Sequence, residues 1–133
     1  MPMGVSSRLK ESRSMEYELV KTFRFEAAHS LPNVPAGHKC ARLHGHSYRL
    51  DIHVTGQPNA TTGWVVDFGE IKRVVEAVLD ELDHRNLNDI AGLENSTSER
   101  LGEYILSRIR GDLPGVTAVT VWESDTSRCT VRA

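Results

Sequence analysis

From Glu16 onward the chain alternates between apolar and polar positions. Tyr17, Leu19, Phe23, Phe25 and Ala27 share one parity, Glu16, Glu18, Thr22, Arg24 and Glu26 the other, and Val20 and Lys21 break the rhythm. Successive side chains of an extended backbone point to opposite sides, so this period of two predicts a strand buried on one face. Residues 31–42 hold two Pro, a Gly and an Asn and predict an irregular loop. Alternation then returns with more force: His44, His46, Tyr48, Leu50, Ile52 and Val54 line one face, and Ser47, Arg49, Asp51, His53 and Thr55 the other. The turn-rich stretch 56–63 predicts a reversal, with residues 64–66 as a returning strand.

The period then changes. Asp67 followed by Glu70 resembles a capping box, and Ile71, Val74, Val75, Val78, Leu79 and Leu82 recur at helical spacing up to Asp83 and His84. After a loop, Ser96 or Thr97 opens a second helix carrying Leu101, Tyr104, Ile105 and Ile109, with Gly102 as its weak point. Gly111 and Pro114 close it, and strands over 116–123 and 128–132 follow, joined by a turn at 124–127. The order is β, β, α, α, β, β. Hairpin-linked strands with a consecutive helix pair predict an α+β domain whose antiparallel sheet carries both helices on one face. Residues 1–14 show no apolar period and read as a disordered tail, leaving 15–133 as one domain.

Composition narrows the function. At 133 residues, 39% hydrophobic and 26% charged, the chain is an ordinary globular domain rather than a disordered or membrane protein. Sixteen Lys and Arg against eighteen Asp and Glu leave a net charge of −2, with no broad positive field for nucleic acid. Two cysteines make no disulfide framework, and no apolar leader marks export, so the expectation is a cytoplasmic protein with reduced thiols. Six histidines in so short a chain turn attention to metal.

His44 and His46 flank Gly45 on a strand, so both imidazoles leave the same face with roots about 6.5–7 Å apart, near enough to meet at one cation. The same spacing also fits two packed or surface histidines. What favours metal is His29, at the end of the first strand on its apolar parity, and the thiol of Cys40 four residues before His44. Three His with an open position is the pattern of catalytic zinc. Lys39 and Arg42 stand where they would favour a Cys40 thiolate, and Asp83 with His84 reads either as surface charge, the commoner case for such a pair, or as an oriented partner for that thiol. Glu123 puts a carboxylate on the face of Val119 and Val121, where it would accept from the N–H edge of a ligand. Thr97, Ser98 and Glu99 read first as helix-start residues, and His38, His53 and Cys129 as structural.

Taken together, FEAAHSLP, GHKCARLHGHS, GWVVDF, LDHRNLND, ENSTSE and VWES resemble the 6-pyruvoyltetrahydropterin and 6-carboxytetrahydropterin synthase superfamily from about Met15 to the end. The three-residue gap between Cys40 and His44 is similar to that of the bacterial 6-carboxytetrahydropterin synthases of the queuosine pathway. The resemblance implies a tunnelling fold: a four-stranded antiparallel sheet backed by two helices, three subunits closing a barrel, and trimers stacked into a hexamer. It implies Zn²⁺ on His29, His44 and His46, Cys40 as general base, and Asp83 and His84 assisting its proton traffic. Glu123 would anchor the pterin and join the relay, with Thr97 and Glu99 as further pterin contacts; Lys39 and Arg42 are expected near the triphosphate from their position alone. The implied substrate is 7,8-dihydroneopterin triphosphate, and the implied products are 6-carboxytetrahydropterin, acetaldehyde and triphosphate. A pyruvoyl-forming or side-chain-cleaving reaction, or a non-catalytic pterin- or zinc-binding module, are the competing expectations. One departure stands out: Ser96 occupies a position where the family usually has Pro, which touches no proposed role.

Overall fold

The computed structural model describes residues 15–133, and the tail expected over 1–14 lies outside them. Strand β1 (Tyr17–His29) runs unbroken through Val20 and Lys21, because Lys21 keeps the inner parity near the strand's open end and lays its ammonium over the Phe23 ring. Strand β2 (His44–Gly56) pairs with it antiparallel from Tyr17 opposite Gly56 to His29 opposite His44. Helix α1 (Phe68–Leu82) starts where the Asp67 carboxylate accepts from the Gly69 N–H, while the Glu70 carboxylate turns to Arg73 instead of closing the box. Strand β3 (Arg85–Asn86), helix α2 (Ser98–Ile109) capped by Thr97, β4 (Val116–Ser124) and β5 (Ser127–Arg132) complete the order.

The sheet has five strands in the order β3-β1-β2-β4-β5 and is mixed rather than four-stranded and antiparallel. Its addition is β3, two residues that run parallel to β1 at Ala27 and Ala28. The expected strand at 64–66 does not form. Both edges of β2 are already taken by β1 and β4, and the Trp64 carbonyl accepts from Asn59 within its own loop. Val65 and Val66 pack partly against the core instead.

Both helices lie on one face. The apolar stripe Ile71, Val74, Val75, Val78, Leu79 and Leu82 of α1 and the stripe Leu101, Ile105, Leu106 and Ile109 of α2 bury with Phe23, Phe25, Tyr48, Leu50, Ile52, Val119 and Val121. Gly102 has a reason: a Cβ there would sit 2.7 Å from Val131 Cγ2, so its absence lets α2 lie close on β5. On the opposite face Asp51 is buried, contrary to its polar parity, and accepts from Thr22 Oγ1 at 2.7 Å and Trp122 Nε1 at 2.8 Å and from the Arg49 guanidinium. Trp122 lies between the guanidinium groups of Arg49 and Arg128. His53 joins this face through Thr120 and Glu18, a structural role as expected.

Candidate active site

Antiparallel register builds the site. It sets His29 directly opposite His44, and His46, two residues along β2, falls on the same side. The three ring centroids stand 4.6, 5.1 and 4.8 Å apart, and one ligating nitrogen from each lies within 4.8 Å of the others. Backbone carbonyls choose the tautomers. His29 Nδ1 lies 2.9 Å from the Ser96 carbonyl and His44 Nδ1 2.7 Å from the Arg42 carbonyl; each oxygen can only accept, so each Nδ1 carries a proton, and in the neutral ring it is Nε2 that has the free lone pair.

Nε2 of His29 and Nε2 of His46 are the buried side-chain polar atoms without a hydrogen-bond partner among the described residues. Buried polar groups are nearly always satisfied, so a converging unsatisfied pair points to a missing partner. Three neutral imidazoles are a fitting donor set for a divalent transition metal. Burial, with repulsion from neighbouring imidazoles, holds the His29 and His46 imidazoles below the ordinary histidine value, against the opposing pull of the Ser96 carbonyl on His29 and of Glu123 on both; a lone pair free of a proton is what a metal requires. Burial likewise drives the neighbouring Tyr48 phenol far up, so it stays protonated.

Cys40 sits in a 3₁₀ turn, Lys39–Ala41, whose shape is fixed from both sides: its N–H donates to His38 Nδ1 at 3.0 Å and its carbonyl accepts from Leu31 N–H at 2.8 Å. His38, expected to be a plain loop residue, is therefore the cap that holds the thiol. The half-buried Cys40 lines a recess of about 400 Å³ with Lys39, His44, His46, Glu123, Ser124 and Ser127. Arg42 is not in that lining and contributes its carbonyl to His44 instead. Glu123 occupies an irregularity in the β4–β5 pairing, between Trp122 opposite Arg128 and Ser124 opposite Ser127. Such a bulge re-aims a side chain, and here Oε1 comes 3.9 Å from both His29 Nε2 and His46 Nε2. A second recess joins Glu123 to Ser98, Glu99, Ser127, Arg128 and Cys129, so the half-buried Cys129, expected to be structural, borders the candidate site. Thr97 is absent from that lining, and its hydroxyl oxygen caps Arg100 N–H.

Asp83 and His84 are held firmly but elsewhere. The Asp83 carboxylate accepts from the Glu26 N–H at 2.9 Å, the His84 N–H donates to the Glu26 carbonyl, and His84 Nδ1 lies 3.0 Å from Asp83 Oδ1. Those bonds, the Glu26 N–H first, hold the Asp83 carboxyl below the usual carboxylate range. His84, just past the C-cap of α1, has φ 57°, a left-handed conformation uncommon in non-glycine residues, and its side chain is 77% exposed. The groove it lines, about 500 Å³ with Glu26, Gly45, His46, Ser47 and Arg85 among its walls, shares only His46 with the Cys40 recess. Within one chain, then, the pair does not meet the thiol.

The family profile described as 6-pyruvoyl tetrahydropterin synthase matches residues 18–133. The chain belongs to this family. It is 40% identical to the 6-carboxy-5,6,7,8-tetrahydropterin synthase of Synechocystis over 115 residues, 82% of this chain and 88% of that one. It is 36% identical to the dihydroneopterin monophosphate aldolase of Pyrococcus furiosus over 114 residues, covering 84% and 93%. Among solved structures, the 6-pyruvoyl tetrahydropterin synthase of Caenorhabditis elegans superposes with a TM-score of 0.82 at 26% identity, covering 90% and 96%. The similarity to 6-carboxytetrahydropterin synthases that the motifs carry is thereby borne out. Among the described residues no helix is long and apolar enough to cross a membrane.

Proposed function

We propose that the protein is a zinc-dependent lyase that converts 7,8-dihydroneopterin triphosphate and water to 6-carboxy-5,6,7,8-tetrahydropterin, acetaldehyde and triphosphate in queuosine-type 7-deazaguanine biosynthesis. A pterin-processing role follows from the family; the finer reading rests on one observation. His44 and His46, on which His29 converges, line the same recess as the Cys40 thiol and the re-aimed Glu123 carboxylate, and Nε2 of His29 and of His46 have no hydrogen-bond partner among the described residues. His29, His44 and His46 would hold the Zn²⁺, which when bound supplies Lewis acidity toward side-chain oxygens of the substrate. Cys40 serves as the base that takes a carbon-bound proton, and Glu123 accepts from the N–H edge of the pterin ring, with Glu99 beside it. Lys39, at the wall of the Cys40 recess, offers charge to the triphosphate. The Thr97 hydroxyl oxygen accepts from Arg100 N–H in the helix cap, which leaves its O–H free to donate to the pterin.

Asp83 and His84 enter the reaction from a second copy. An imidazole that is fixed, exposed and turned away from its own thiol fits a group serving a neighbouring subunit, as the trimer and hexamer implied by the family would allow. The test is incubation of the zinc-loaded protein with 7,8-dihydroneopterin triphosphate, with Cys40→Ala alongside and products identified by mass spectrometry. Acetaldehyde with the 6-carboxy product, lost in the variant while zinc stays bound, is the expected result. The Pyrococcus relative favours a second reading, side-chain cleavage of a phosphorylated dihydroneopterin, which would yield a pterin without the 6-carboxyl group. A pyruvoyl product would mark the third reaction, and full metal with no turnover a binding module.

A further inference from the structure

Ser96, the departure that touched no proposed role, lies against the metal site. It is fully buried, its carbonyl fixes Nδ1 of the equally buried His29 at 2.9 Å, and its hydroxyl oxygen stands 3.1 Å from the same nitrogen. What holds Ser96 there is Asn88. The Asn88 Oδ1 accepts from the Ser30 N–H at 2.8 Å, and because that group only donates, the amide must present its nitrogen to the other side. There Nδ2 reaches three acceptors: the Ser30 carbonyl at 2.9 Å, the Glu94 carbonyl at 3.1 Å and Ser96 Oγ at 3.3 Å. Asn88 is itself held in the 3₁₀ turn Leu87–Asp89 by its N–H to Asn86 Oδ1. One side chain thus ties the residue after His29 to the segment before α2.

We infer that Asn88 is a positioning residue for the metal site, acting through Ser96 to fix the orientation and tautomer of His29. The inference rests on the three-histidine reading above and goes beyond it, since Asn88 touches neither the metal ligand nor the recess. Its physical logic is that a metal ligand's other nitrogen needs a rigid acceptor, and a carbonyl in an irregular segment is rigid only if something pins the segment. Asn88 pins it at Glu94 and Ser96 together. The same segment leads into Ser98 and Glu99, so the strut also sets the metal ligand against the Glu123 recess.

The experiment uses the metal-free full chain, titrated with Zn²⁺ against a chromogenic chelator, for the native protein, Asn88→Ala and Ser96→Ala. Imidazole ¹⁵N spectra of the metal-free forms read the His29 tautomer directly. The native protein should show His29 in the single Nδ1–H form, and Asn88→Ala a mixture of forms with zinc affinity lowered about 10–100-fold. Ser96→Ala, which removes one buried oxygen and keeps the carbonyl, should retain the tautomer and lose affinity by the smaller factor, and it keeps the test valid if Asn88→Ala does not fold. A folded Asn88→Ala with native affinity and a single tautomer overturns the inference, as does unchanged affinity in Ser96→Ala should the other variant unfold. Native protein that binds no zinc overturns the three-histidine reading itself, whereas native zinc binding with indifferent variants overturns only the role of Asn88.

Discussion

At the residue scale the division between legible and hidden follows sequence distance. His44 and His46 could be paired on paper because a strand's parity is arithmetic, and His29 because an antiparallel partner had to bring its end to theirs. Nothing local joins His29 to Ser96, 67 positions away, or Glu26 to Asp83, 57 away. Those contacts belong to loops, whose course no periodicity states. The ligand assignment can be checked cleanly at His44, which is only half-buried and whose loss leaves the core untouched. His44→Ala should fold normally yet lose zinc affinity by more than the ~10–100-fold that removal of an outer partner costs. Elemental analysis of the purified variant, with circular dichroism as the control for folding, reads both; retained stoichiometric metal would remove His44 from the ligand set.

Elements were legible where one face is buried and the other is not. The stripes of α1 and α2 and the two long strands emerged from period alone, whereas β3 is two residues long and has no period to show. The strand expected at 64–66 failed because pattern records burial and not whether a sheet edge is free. Gly102, which looked like a flaw in α2, is the point where helix and sheet touch. Gly102→Ala should therefore destabilise the fold by roughly 1–3 kcal/mol despite the better helix propensity of Ala, since the added Cβ meets Val131. Urea unfolding of this variant and of Gly102→Ala with Val131→Ala checks the cause: beyond the cost of Val131→Ala alone, the double variant should show little further loss.

The opposite face of the same sheet makes a pH prediction. Burial pushes the Asp51 carboxyl up, but hydrogen bonds from Arg49, Thr22 and Trp122, with the Arg49 charge, outweigh it and hold the group below its ordinary 3.8. A carboxyl depressed in the folded state adds stability at neutral pH, and that contribution fades as pH falls from the ordinary value through the folded one. Asp51→Asn should cost roughly 1–3 kcal/mol at pH 7 and flatten the loss of stability below pH about 4. Chemical denaturation at a series of pH values reads both, and an Asp51→Asn variant as acid-sensitive as the native protein would place the sensitivity elsewhere.

At the scale of the whole molecule, one chain holds every proposed group but does not bring them all to one place. The thiol, the His44 and His46 imidazoles and Glu123 share a recess with His29 converging on the two imidazoles, while Asp83 and His84 are braced against Glu26 and exposed. His84, at φ 57° just past the C-cap of α1, pairs its ring with Asp83 and its N–H with the Glu26 carbonyl, which presents the imidazole on the surface away from the Cys40 recess. If a second copy supplies that imidazole, two inactive variants should repair each other. Cys40→Ala and His84→Ala should each be inactive alone. Co-assembled at equal amounts, random mixing pairs an intact thiol with an intact partner histidine in about a quarter of the sites of a closed ring. Recovery of turnover near that fraction, measured on co-refolded mixtures and absent when the two proteins are combined without subunit exchange, is the expected result. No recovery after confirmed exchange would put Asp83 and His84 in service of their own chain, or outside the chemistry altogether.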